Sequence, residues 1–423
     1  MVSAVAFSCI GWAFDLFDLF ILLYVAPTLG KVFFDSSRQM SSLVGVYAAF
    51  AATLFMRPVG GYLFGRYADR NGRKRAMAVA AIGVGVVTAL MGTIPTIDTI
   101  GLAAPLIFVA MRLIQGVFMG GMVASTHTIG TESITAKWRG LASGIITGGG
   151  SGLGKLLASL IFLLVTWVFP GQAFQVWGWR FMFFSGLLSS LLGLLVFSKL
   201  EESPMWEQLQ KVKGAAAASQ KPALPSLIHG GFRGAVIIGI FLTMAGGGLS
   251  YLTSGYLPTF MRVVNDVQPE KLGVILSLSA ISVIFFSVLA GYLTDIIGRK
   301  SGIILYGLLS LIIIPALYLQ LAQAAGVIEI GFLSVILSGA GALCYAPLLI
   351  VLNERFPTEI RSSGTAVSWN IGFALGGSMP IVVSFFSKAV SDLPMSLAIA
   401  TGALSSIYLI AVQFTRKTRG QMP

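Results

Sequence analysis

The sequence predicts an all-α membrane protein: twelve transmembrane helices in two six-helix repeats, with both termini cytoplasmic. Three observations carry the prediction. The first is composition: of 423 residues, 56% are hydrophobic and 10% charged, with a mean hydropathy of +0.87. Soluble domains carry about 25% charged residues, so the solvent here is lipid. In lipid the backbone must satisfy its own polar groups, which leaves helices or a closed barrel. The apolar runs are continuous rather than alternating, which excludes the barrel. The second is an internal copy. Residues 65–74 read Gly-Arg-Tyr-Ala-Asp-Arg-Asn-Gly-Arg-Lys, and 291–300 read Gly-Tyr-Leu-Thr-Asp-Ile-Ile-Gly-Arg-Lys, both G-x-x-x-D-x-x-G-R-K. Glu132 stands seven residues before Arg139, and Glu354 seven before Arg361. The same two motifs in the same order, half a chain apart, are the mark of a repeat-built transporter. The third is the placement of charge. If the spans alternate, one side carries Arg66, Arg70, Arg73, Lys74, Arg75, Lys137, Arg139, the cations of the central loop, Arg299, Lys300, Arg355, Arg361, Arg416, Lys417 and Arg419. The other side has Lys31, Arg38, Arg180, Arg262, Lys271 and Lys388, roughly a third as many. The rich side is then cytoplasmic. The net charge of +12 orients the protein in a membrane rather than marking a nucleic-acid surface.

Apolar runs of about 20 residues, long enough to cross the hydrocarbon as helix, fall at 5–29, 44–67, 76–95, 104–130, 141–168 and 181–199. The second set lies at 233–260, 271–294, 301–321, 328–351, 364–387 and 394–414. The first run has no basic segment before it and is too long for a signal peptide, so it reads as the first span. Spans five, seven and eleven are rich in glycine, which lets helices approach closely. The one long polar break, 201–231, reads as a cytoplasmic linker, with a bundle at 1–200 before it and another at 232–423 after it. Cys9 and Cys344 lie within spans and read as free thiols. The sequence offers no spacing for a metal, no cofactor motif and no catalytic constellation.

Ionisable groups at membrane depth are costly and mark function. Asp15 and Asp18 lie midway along span one and, three apart, share a helix face. Arg57 is twelve residues before Asp69, roughly 18 Å from the cytoplasmic edge. Arg112 lies in span four and Lys155 near the middle of span five. All five belong to the first half. The second half offers Thr253, Ser254, Tyr256, Tyr345, Trp369 and Asn370 at depth, all uncharged. Three cations against two acids leave room for a bound anion. An Asp beside Arg57 or Lys155 is expected to exchange a proton as that anion arrives. The stretch 149–155, Gly-Gly-Ser-Gly-Leu-Gly-Lys, nearly matches a phosphate-binding loop, but Leu156 replaces the hydroxyl residue and the stretch lies inside an apolar span. His127, near the end of span four, reads as a satisfied polar group.

The repeated Asp loop, Arg112-x-x-Gln115-Gly116 in span four and Glu201-Glu202-Ser203-Pro204 after span six together resemble the major facilitator superfamily over essentially the whole chain. Gly11-Trp12-x-x-Asp15-x-x-Asp18, Arg57-Pro58-x-Gly60-Gly61, and Glu354 to Arg361 leading to Asn370-Ile-Gly372 are similar to its organic-acid:proton symporters, the sialate, aromatic-acid and metabolite groups. The chain departs from many of these relatives at Gly120-Gly121-Met122, where they carry Gly-Gly-Glu. The resemblance implies the major facilitator fold, alternating access and a central cavity between halves.

The expected function is import of a small organic anion, a carboxylate, with protons, by a monomeric multi-pass protein of the cytoplasmic membrane that needs no cofactor. A zwitterion of the betaine or proline type, or a sugar, is the alternative cargo; a transporter-like sensor or a channel is the alternative class. Asp15 and Asp18 are assigned to proton coupling. Arg57, Lys155, Arg112, Tyr256 and Asn370 are assigned to substrate. Asp69, Arg73, Glu132, Arg139, Asp295, Arg299, Glu354 and Arg361 are assigned to a cytoplasmic gate.

Overall fold

The computed structural model describes residues 2–34, 39–71, 73–132, 134–188, 190, 191, 194, 231–357 and 360–415. Side chains outside the described set include those of 68–70, 72–74 and 122–133, and with them Asp69, Arg73, His127 and Glu132. The linker at 201–230 also lies outside it.

The described residues are almost entirely helical. The first half contributes α1 (Val2–Phe33), α2 (Gln39–Asn71), α3 (Arg73–Met91), α4 (Ala103–Glu132), α5 (Arg139–Val168) and, of the sixth, α6 (Trp179–Phe184). The second contributes α7 (Arg233–Val263), α8 (Pro269–Ile297), α9 (Arg299–Gln323), α10 (Val327–Asn353), α11 (Ser363–Phe386) and α12 (Leu393–Gln413). Ten of these helices are long and apolar enough to cross a membrane. The apolar part of α3, Arg75–Met91, is shorter. The helices outrun the apolar runs read from sequence: α1 reaches Phe33 rather than 29, and α2 begins at Gln39 rather than 44. Polar residues continue a helix beyond the hydrocarbon wherever the backbone meets no breaker, so hydropathy alone sets these ends too short.

The internal copy in the sequence is mirrored in the packing. Helix α1 packs on α5 as α7 packs on α11; α2 on α4 as α8 on α10; α3 on α6 as α9 on α12. Two further pairs join the sets, α5 with α8 and α2 with α11. Glycine sets the closeness of the first. A Cβ at Gly144 or Gly148 would strike Ser287, and one at Gly140 would strike the Gly291 carbonyl and Arg299. The glycines of the near phosphate-loop stretch are spent on helix contact: Gly154 lies against the carbonyl of Ala13, and Gly152 against α8 at Ile284. Helical packing, not phosphate binding, accounts for their spacing.

Single π-type turns interrupt α5 at Gly144–Gly149 and α7 at Tyr251–Gly255. Such turns shift the helix phase and recur at functional positions. Both lie in helices that pass the buried charges.

Candidate functional site

The five ionisable side chains predicted at depth are all buried. They do not form one cluster. Asp15 turns toward α2, where Arg57 Nη2 donates to its Oδ1 at 3.1 Å and lies 3.0 Å from Oδ2. The guanidinium Nε and Nη1 have no hydrogen-bond partner. The hydroxyls of Tyr251 and Tyr345 stand within electrostatic range of this pair, and that of Tyr251 is itself unpartnered.

Asp18 turns elsewhere. Its carboxylate lies beside Gly186, within electrostatic reach of Arg112. Arg112 donates from Nη1 to Gln115 Oε1 at 2.7 Å, and Gln115 donates to Thr88 Oγ1 at 2.7 Å. The Arg112 guanidinium also sits over the rings of Phe108 and Phe183, 5.4 and 5.6 Å from their centroids. This network lies inside the first half, between α1, α3, α4 and the sixth helix. The two acids three apart on α1 therefore face different neighbours.

Lys155 is the remaining cation, 2% exposed. Gly154 brings this part of α5 onto α1, so the lysine Nζ sits 4.9 Å from the centre of the Phe20 ring. It reaches Ser250 Oγ of α7 at 3.4 Å. Among the described residues no carboxylate comes within ion-pair distance of it; of the two cations named for an adjoining Asp, Arg57 has one. A cavity of about 10 Å3, walled by Lys155, Tyr24, Ser254, Ser279 and Ser338, lies alongside. The hydroxyls of Ser254 and Ser279 have no partner. The space would take about one water molecule and is too small for a carboxylate, so the bundle is closed around it.

Contacts close the bundle at both ends. At the end bearing the Asp295 loop, that carboxylate accepts from the backbone amides of Gly140 at 2.9 Å and Leu141 at 2.8 Å. Arg299 bridges Asp295 to Glu354, its Nε donating to Glu354 Oε1 at 3.2 Å. Ser143 and Thr147 hydroxyls both donate to the Ala346 carbonyl, at 2.9 and 2.8 Å. The repeated arginines act alike: Arg139 Nε donates to Ile134 O and Arg361 Nε to Phe356 O, each at 3.2 Å, each five residues back. At the opposite end Tyr47 stacks on Tyr256, centroids 5.0 Å apart, and shares a 2.7 Å hydrogen bond with Thr259. The Tyr256 hydroxyl is bonded to Ser384 at 3.0 Å. Tyr256 thus belongs to a closing contact in this conformation. Asn370 is half-buried, its amide donating to Ala366 O at 2.9 Å and its carbonyl unpartnered.

Sequence reasoning named Tyr345 and Trp369 as polar groups at depth but missed the cluster of rings they join beside the Asp15–Arg57 pair. Trp12 Nε1 donates to the Tyr345 hydroxyl at 3.0 Å and meets Trp369 edge-on, centroids 5.5 Å apart. Trp369 stacks on Phe373 at 5.3 Å, and Phe373 also meets Tyr251 at 5.1 Å. The available signal was an aromatic residue at central depth in each of spans one, seven, ten and eleven.

The chain compares closely with known transporters. The family model described as Major Facilitator Superfamily matches residues 4–380. The inner membrane metabolite transport protein YhjE of Escherichia coli K12 is 30% identical over 426 residues, 98% of this chain and 94% of that protein. The proline/betaine transporter of the same organism is 28% identical, covering 93% of this chain and 79% of its own length. Among solved structures, the proton:xylose symporter XylE bound to 6-bromo-6-deoxy-D-glucose superposes with a TM-score of 0.76 at 18% identity, covering 100% of this chain and 97% of that one. The inward-open XylE of E. coli gives 0.72 at 22% identity, covering 100% and 98%.

Proposed function

The chain belongs to the major facilitator superfamily of membrane transporters, and from that premise we propose that it imports a small carboxylate together with protons by alternating access. The observation that supports this reading is the charge balance inside the bundle. Arg57 is matched by Asp15 and Arg112 by Asp18, which leaves Lys155 as the one of the five without an acid. An uncompensated cation at this depth costs roughly 2.5–3.5 kcal/mol on insertion scales. A bound carboxylate beside Lys155 offsets that cost. The hydroxyls of Ser250, Ser254, Ser279 and Ser338 supply neutral donors around it. The positive-inside count puts the Asp295 end and both termini in the cytoplasm. The domain division at 1–200 and 232–423 fits the repeated helix pairing. Asp15 and Asp18, the acids assigned to proton coupling from sequence, are each held beside an arginine, Arg57 and Arg112.

A second reading follows from the rings of Trp12, Tyr251, Tyr345, Trp369 and Phe373. Aromatic faces attract quaternary ammonium groups, and the adjoining Arg57 has free donors for a carboxylate. A betaine-like zwitterion would use both. The two readings separate in proteoliposomes loaded with a panel of monocarboxylates, glycine betaine, proline and xylose, with and without an inward proton gradient. Saturable, gradient-driven uptake of a carboxylate, weakened in Lys155→Gln, supports the anion reading. Uptake of glycine betaine that survives Lys155→Gln and is lost in Trp12→Leu replaces it with the zwitterion. Uptake indifferent to the proton gradient removes proton coupling.

A further inference from the structure

Lys155 has two properties that are hard to reconcile in a cation that stays charged. It is buried, 2% exposed, in a conformation closed at both ends, and among the described residues no carboxylate comes within ion-pair distance of it. We infer that Lys155 is itself a proton carrier: its ammonium surrenders a proton to water when the site is empty and regains one as the substrate carboxylate arrives. The inference rests on the carboxylate reading above and deepens it.

The groups around the lysine leave few alternatives. From α1, Asp15 is held by Arg57, Asp18 is turned toward Arg112, and the Tyr24 hydroxyl donates to the backbone carbonyl of Lys155 itself at 3.2 Å. From α7 come the Ser250 hydroxyl and, further along, Tyr251 and Tyr256. From α8 only Ser279 and apolar side chains reach the cavity; its ionisable residues, Glu270, Lys271, Tyr292 and Asp295, lie toward its ends. Helix α10 adds Ser338, and Arg180 of α6 lies at the far end, bonded to Gly92 O and Ile94 O. A neutral amine suits this setting: Nζ then accepts from a serine hydroxyl and carries no charge to be matched.

The bookkeeping of states follows directly. The Nζ lone pair takes a proton from outside water, forming an N–H bond, and the ammonium pairs with the carboxylate. Opening to the cytoplasm lets the carboxylate leave and returns the proton to inside water, regenerating the amine. Two states cross the membrane cheaply: empty with a neutral lysine, and loaded with a neutral ion pair. The mixed states each bury one unmatched charge and are disfavoured. One proton therefore travels with each carboxylate, without net charge for a monoanion.

The test uses the whole chain in nanodiscs and proteoliposomes. In ligand-free nanodiscs at neutral pH, 15N-lysine NMR should show one amine-type Nζ signal, absent from Lys155→Gln; an ammonium signature for every lysine overturns the proposal without any transport assay. Lys155→Arg keeps a fixed charge, since arginine does not deprotonate in proteins. Whatever rate of counterflow exchange it keeps, it should lose the roughly tenfold accumulation that about one pH unit supports at one proton per anion. Net accumulation by Lys155→Arg equal to the parent overturns the proposal. Failure of the parent to move any carboxylate overturns the carboxylate reading instead, so the two failures are distinct.

Discussion

The carboxylate of Asp295 on α8 caps the amino end of α5 at Gly140, accepting from that backbone amide at 2.9 Å and from the next at 2.8 Å. The cap joins the two halves of the chain across the Asp295 end. An anion at a helix amino end gains both hydrogen bonds and the helix dipole. Asp295→Asn removes the charge and one of the two acceptor oxygens. The closed state should lose about 1 kcal/mol, shifting the population toward opening at this end by about fivefold. Distances between spin labels on the α5 and α8 ends report the shift; an unchanged distribution refutes it.

Asp69 holds the same place in the first copy of the motif. The repeat predicts the same capping role for it, at the amino end of α11. Asp69→Asn should open the same end and slow cycling while substrate affinity, measured by calorimetry, stays within about twofold. Loss of binding with unchanged conformational populations would make Asp69 a substrate residue.

The Asp15–Arg57 pair is buried on both sides, so removing one partner strands the other. Asp15→Asn should destabilise the protein by roughly 3–5 kcal/mol, seen as a lower midpoint in thermal unfolding in detergent. The double variant Asp15→Asn/Arg57→Gln should recover part of that loss. Equal loss in single and double variants would show that the two residues are not energetically coupled.

A side chain at Gly144 meets the Ser287 carbonyl and Gly291 of α8. Backbone cannot yield as a side-chain tip can. Gly144→Val should fold, because α5 still packs within the first half, but should hold the Asp295 end apart. A cysteine placed at Ser143 would then react with a water-soluble maleimide about tenfold faster than in the parent. Equal reactivity would show that the helices close by another route.

Much of the fold was legible because lipid imposes a simple rule on sequence. Apolar length marks helices, and the duplicated Asp loop marks the repeat, which the pairing of α1 with α5 and α7 with α11 reproduces. The second copy of the motif was legible as a contact set: Arg299 bridges Asp295 and Glu354, while Arg361 bonds the carbonyls of Asn353 and Phe356. The pairing of the buried charges was not. Spacing places Asp15 and Asp18 on one face of α1, yet about 60° of helix rotation separates them, and their partners come from α2 and α4. The isolation of Lys155 depends on Ser250, 95 residues away, and on glycines that seat α5 against α1. Tyr256 and Asn370 carry no sequence signal that separates a substrate contact from the helix packing they show here.

Tyr24 borders two spaces at once. Its ring lines the cavity beside Lys155 and also the pocket at the opposite end, which holds Lys31, Arg180 and Arg262. Its hydroxyl donates to the Lys155 carbonyl, and its ring meets Phe20 and Phe162 edge-on. The lysine's compartment and a pocket with three further cations therefore share one phenol, so any motion of that ring alters both spaces together.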